Sequence, residues 1–222
     1  MNSASTAPQG TPKPSDKSLL NLAEELRSAI ARISQTDFSS YQPLQSVWAR
    51  RAAAVVFGSL LVAVCAHIMV PLWFTPVPIT LQTFAVLLLG LVLSPGLAAS
   101  AMALYLLEGM AGLPVLSPIG SVGFLHIFGL TGGYLLSYPA AAALTGWLRR
   151  RIGQGGFAAS LLAAAAGSVV ILVAGAAWFA ILSHQSAGTV FTLSVAPFLP
   201  GDILKVAAAA GVAMGLRRFR RG

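Results

Sequence analysis

Between residues 52 and 216 the charged side chains are Glu108, the run Arg149, Arg150 and Arg151, and the pair Asp202 and Lys205. Long apolar stretches surround them. Ionisable groups in such surroundings are costly, which makes each a candidate functional group. Asp202 and Lys205 are spaced i, i+3, so on a helix they share a face, roughly 5 Å apart along the axis. Lysine offers a cation for a substrate carboxylate. Aspartate offers an acceptor for substrate N–H groups, and charge-assisted hydrogen bonds are the strong ones. A second reading stays open: an aspartate favoured by the dipole at a helix start and neutralised by its neighbouring lysine. Gln82, in Pro78-Ile79-Thr80-Leu81-Gln82-Thr83, both donates and accepts. Tyr105 and Tyr134 read either as hydrogen-bonding aromatics or as members of an interface belt. Glu108 reads as an interfacial carboxylate in water.

Catalytic chemistry has little support. His67, His126 and His184 are far apart, and the chain has no HExxH pair, no GxSxG elbow and no phosphate-cradling loop. No catalytic residue, metal site or cofactor is expected, so the chain does not read as an enzyme. Any ATP-driven step must come from a partner. Cys65 is the lone cysteine, which rules out an internal disulfide and suits a small buried hydrophobe.

The elements that must position these residues are membrane spans. Of the 222 residues, 56% are hydrophobic and 9% charged, against roughly 25% charged in soluble domains. Mean hydropathy is +0.79. Apolar runs predict six helices: about Ala52 to Val70, Thr80 to Leu93, Leu97 to Leu107, Thr131 to Leu148, Phe157 to Leu182 and Gly201 to Leu216. The second is short for a ~30 Å hydrocarbon core. A proline-rich loop spans Pro71 to Pro78, a tight turn Ser94 to Gly96, and a further loop Ser183 to Pro200. The Gly-rich segment from Glu108 to Gly129 reads as a loop folded over or into the bundle. With six spans, every Lys and Arg outside the spans falls on one side, which is therefore cytoplasmic, with both termini there. The net charge of +8 thus reads as topology signals facing anionic lipid, not as a nucleic-acid surface. Ala54 and Gly58, four apart in the first span, let another helix approach closely.

The domain organisation expected is a cytoplasmic leader, residues 1–46, and a membrane domain, residues 47–222. Met1 to Lys17 are polar and read as disordered. Ser18 to Ile33 has apolar residues at helical spacing. Two roles stay open for it: an amphipathic helix docked on the membrane face or on a partner, and a solvated appendage.

Four stretches together carry a family resemblance: Pro76 to Gln82, Tyr105 through Gly112-Leu113-Pro114-Val115, Gly129-Leu130-Thr131-Gly132-Gly133-Tyr134-Leu135, and Pro197 to Lys205. Over roughly Arg50 to Gly215 the chain resembles the BioY family, the biotin-specific substrate-binding (S) components of energy-coupling factor transporters. The resemblance implies an all-α membrane protein with six transmembrane helices and a Gly-rich outer loop over the pocket. It implies biotin as transported ligand, bound by Asp202 and Lys205, with Gln82, Thr131, Tyr134 and Tyr105 completing the expected site. It further implies a bacterial inner-membrane location, a transmembrane coupling subunit contacted near Ala54 and Gly58, and separate ATP-binding subunits. A family member acting alone as a homo-oligomer is a variation on this reading. The alternatives are a non-transporting membrane receptor or assembly factor, and an S component for another vitamin.

Overall fold

The computed structural model describes residues 21, 24–28, 31, 44–118, 123–153 and 156–219. Two compact units result, residues 1–47 and 48–222. In the first, Asn21, Glu24 to Ser28 and Ala31 are helical and exposed. The rest of the expected amphipathic helix, and the expected disordered start, lie outside the described residues.

Among its described residues the second unit is mainly helical, with one small two-stranded ladder. From residue 44 onward the elements are α1 (Leu44–His67), β1 (Met69–Val70), β2 (Ile79–Thr80), α2 (Gln82–Val92), α3 (Pro95–Met110), α4 (Phe124–Ile127), α5 (Gly132–Ile152), α6 (Phe157–Ser183), α7 (Ala187–Ser194) and α8 (Leu199–Phe219). Of these, α1 from Ser46, α6 and α8 are long and apolar enough to cross a membrane. At 11 residues, α2 is about 16 Å long. It is an apolar helix of less than spanning length, as its sequence suggested.

Local sequence explains most boundaries. Ser94 caps α3, accepting from the Leu97 N–H at 3.4 Å, and Pro95 occupies its first position, where a missing N–H costs nothing. Gly153, with φ of 111°, ends α5. The proline-rich loop is more ordered than its composition suggests. Antiparallel pairing of Met69 with Thr80 and Val70 with Ile79 closes it, and the Leu81 N–H reaches the Ile68 carbonyl at 2.9 Å. The Ser183 to Pro200 segment is not a plain loop. It contains α7, capped by Ser186, which accepts from the Thr189 N–H at 3.3 Å.

The core lies among α2, α3, α5 and α6, where Leu87, Met102, Tyr105 and Ile171 are fully buried. Close approach depends on missing side chains. A Cβ on Gly133 would run into Trp178, and one on Gly175 into the Tyr134 ring. At the other end of the bundle Arg149 departs from its expected role in a basic loop. It is buried on α5, its Nε donates to Ser160 Oγ at 3.1 Å, and its Nη1 donates to the Leu91 carbonyl at 3.0 Å. That carbonyl belongs to the last turn of α2, where acceptors lack helical partners. Arg150 and Arg151 remain exposed.

Candidate functional site

A cavity of about 200 Å³ lies among the first turns of α2, α5 and α8 and the middle of α6. Asp202, Lys205, Gln82, Thr131 and Tyr134 all line it, so five of the six residues expected at the site converge. They come from positions as far apart as 82 and 205, which only the tertiary fold unites.

The start of α8 sets the charged pair. Phe198 is buried, and the Asp202 N–H closes the first turn on its carbonyl at 2.8 Å. Asp202 is buried as well, and its Oδ2 accepts from Ser168 Oγ of α6 at 2.6 Å. Its Oδ1 lies 3.7 Å from Lys205 Nζ. That separation is an ion pair but too long for a hydrogen bond. The ammonium therefore keeps donors, and Oδ1 keeps lone pairs, for a third group.

Gln82 forms the second polar wall. Its Nε2 donates to the Tyr105 hydroxyl at 2.6 Å. Its Oε1 accepts from Thr80 Oγ1 at 3.0 Å and from the Tyr138 hydroxyl at 3.2 Å. One amide hydrogen is then left for a ligand, since the amide carries two.

Two tyrosines have different parts from those expected. Tyr105 is fully buried and is not among the lining residues; it stands behind Gln82 and orients it. Tyr134 lines the cavity, but its hydroxyl donates to the Ser194 carbonyl, leaving the ring as its contribution to the wall. Gly175 makes room for that ring.

The cavity is roofed by the segments before α2 and α5. Thr75 Oγ1 donates to the Leu193 carbonyl at 2.7 Å, and Ser117 Oγ to Met69 Sδ at 3.0 Å. Trp178 Nε1 donates to the Gly129 carbonyl at 2.9 Å, tying the Gly129 to Thr131 stretch to α6. The walls include Leu135, Ile171, Leu172 and Phe198, so a few fixed polar groups face a mainly apolar surround, the usual make-up of a small-molecule site.

Sequence reasoning missed Tyr138, Thr80, His126 and Ser168. Tyr138 stands one turn from Tyr134 on α5, a spacing visible in the sequence. Buried His126 lines the cavity from α4. Ser168 carries no local signal, because its partner is 34 residues away.

Two further expectations change. Glu108 is not a water-facing carboxylate at an interface. It is half-buried, and both of its oxygens lie within reach of Ser59 Oγ of α1, at 3.0 and 2.9 Å. Gly58 is buried, and a Cβ there would meet Ala101 at 2.9 Å. Its small size is used inside the chain, seating α3 on α1, and does not leave an open groove. Ala54 is half-buried.

Long apolar helices around a cavity of this make-up define a helical membrane protein built to hold a small molecule. The BioY family model matches residues 34–222. A Pyrococcus horikoshii protein named "Probable biotin transporter BioY" is 36% identical over 169 residues, covering 76% of this chain and 97% of that protein. A Rhizobium etli "Biotin transporter BioY" is 37% identical over 163 residues, covering 70% and 86%. Among solved structures the fold is similar, at a TM-score of 0.72 and 24% identity, to the S-component for biotin from an ECF-type ABC transporter, covering 81% of this chain and 95% of that one. The chain belongs to the BioY family.

Proposed function

We propose that this chain is the biotin-capturing membrane subunit of a vitamin uptake system. The observation that carries the proposal is the Asp202–Lys205 pair, its aspartate buried and its lysine partly buried, facing Gln82 across an apolar cavity. Biotin presents two ureido N–H donors and a carbonyl, an apolar bicycle, and a carboxylate on a flexible arm. Asp202 Oδ1 accepts a ureido N–H, Lys205 supplies the cationic donor beside it, and the spare Gln82 hydrogen donates to a biotin oxygen. Leu135, Ile171 and Phe198 cover the bicycle.

The chain spans the bacterial inner membrane six times, with both termini cytoplasmic, and the short α2 belongs to one of the six passes. Its outer loops, the Gly-rich one among them, close over bound biotin. Release to the cytoplasm is driven by separate ATP-binding subunits through a transmembrane coupling subunit. That subunit meets the outward side of α1, which Ala54 borders, while Gly58 acts there indirectly by seating α3.

Labelled biotin uptake tests this reading, in cells expressing the chain with its coupling and ATP-binding partners. Asp202→Asn and Lys205→Met should each weaken biotin capture at least tenfold, equivalent to ~1.4 kcal/mol, at unchanged membrane abundance. Uptake at the wild-type level in both variants refutes the site. Binding without accumulation supports a receptor instead.

A further inference from the structure

We infer that Ser168 is a positioning residue for ligand capture, holding one oxygen of Asp202 so that the other is presented to the ligand; this rests on the biotin-site reading above. Ser168 lies midway along α6, a span of mean hydropathy 2.3, and is buried. Hydroxyls buried in helices usually bond back to their own helix. Three others in this bundle do so: Thr145 to the Ala141 carbonyl at 2.8 Å, Ser160 to Gly156 at 3.3 Å, and Ser194 to Val190 at 2.7 Å. Ser168 instead reaches across to α8, where its hydroxyl donates to Asp202 Oδ2 at 2.6 Å, a distance typical of a charge-assisted bond.

The consequence is an asymmetry between the two carboxylate oxygens. Oδ2 is bound to α6. Oδ1 has Lys205 beside it, at 3.7 Å, and keeps its hydrogen-bonding capacity. Without Ser168 the carboxyl group can rotate about its last bond, because terminal carboxylate torsions are broad and roughly two-fold. Lys205 then has no fixed competitor and draws both oxygens toward itself. Binding must first pull the carboxylate away from the lysine, which lowers affinity without removing any ligand contact. Preorganisation of this kind is carried by residues that never touch the ligand.

The test compares Ser168→Thr with Ser168→Val. These side chains have the same shape and differ in the hydroxyl, so any packing effect of the added methyl is common to both. Biotin Kd and ligand-free Tm are measured on the purified full chain. The threonine variant should bind about tenfold more tightly than the valine variant. In an Asp202→Ala background, which offers the residue-168 hydroxyl no acceptor, the difference between threonine and valine should shrink below twofold, because Ser168 acts through Asp202. Equal Kd values for the two variants overturn the inference. So does a tenfold difference that persists in the Asp202→Ala background, which would mean that the hydroxyl acts independently of Asp202. Failure of the wild-type chain to bind biotin would instead overturn the functional reading beneath it.

Discussion

Gly175→Ala is a sharp probe of how the site is built. In an ordinary helix, replacing glycine by alanine stabilises by about 0.8–1 kcal/mol. Here the new methyl group falls on the Tyr134 ring. Overpacking of a filled core costs about 1–3 kcal/mol. If the ring turns aside, its hydroxyl also leaves the Ser194 carbonyl, a further loss of roughly 0.5–1.5 kcal/mol. The clash therefore outweighs the propensity gain, with a net destabilisation of about 1–3 kcal/mol once these opposing effects are combined. Tyr134 lines the cavity, so biotin affinity should fall roughly tenfold as stability falls, a tenfold loss being ~1.4 kcal/mol. Gly211→Ala is the matched control, since nothing lies within 4 Å of its added Cβ; it should be neutral or stabilising by up to ~1 kcal/mol. Thermal unfolding and biotin titration of the purified chains give both readouts. A Gly175→Ala protein with wild-type Tm and Kd, or one matching Gly211→Ala, refutes the packing argument.

Two more substitutions test other parts of the bundle. Gln82→Leu leaves the Tyr105, Tyr138 and Thr80 hydroxyls without their shared partner; at roughly 1–3 kcal/mol per buried unsatisfied group, Tm should drop and biotin titration should show no saturable binding. Arg149→Met removes the donors to Leu91 and Ser160 and should destabilise by about 1.5–3 kcal/mol. Arg150→Met, on the exposed neighbour, should stay within about 0.5 kcal/mol in the same unfolding assay.

What can be read from the sequence depends on the range of the interaction that decides each feature. The apolar runs and the shortness of α2 are local, and they are legible; Ser94 to Gly96 read as a turn, whereas Ser94 caps α3 and Pro95 and Gly96 already lie in its first turn. The i, i+3 spacing of Asp202 and Lys205 is legible too, because one helix turn sets it. Arg149 looks like its two neighbours in a basic run, and its burial rests on a carbonyl 58 residues away. Gly58 presents the same small-residue spacing whether an internal helix or a partner fills the gap; Ala101 fills it. The helix α7 is masked although its signal is local: Ser186 stands three residues before the Thr189 N–H it caps, within a segment whose glycine and prolines suggest a loop. Tyr105 and Tyr134 are legible as polar aromatics, but which group takes each hydroxyl depends on Gln82 and Ser194, and no local pattern reveals that.

The central claim is that this cavity holds biotin. Titration of the purified wild-type chain with biotin, alongside thiamine and riboflavin, tests it most directly. The account predicts saturable binding of one biotin per chain, no binding of the other two vitamins, and at least tenfold weaker biotin binding by Asp202→Asn. Absence of biotin binding by a folded chain, or equal binding of all three, would contradict it.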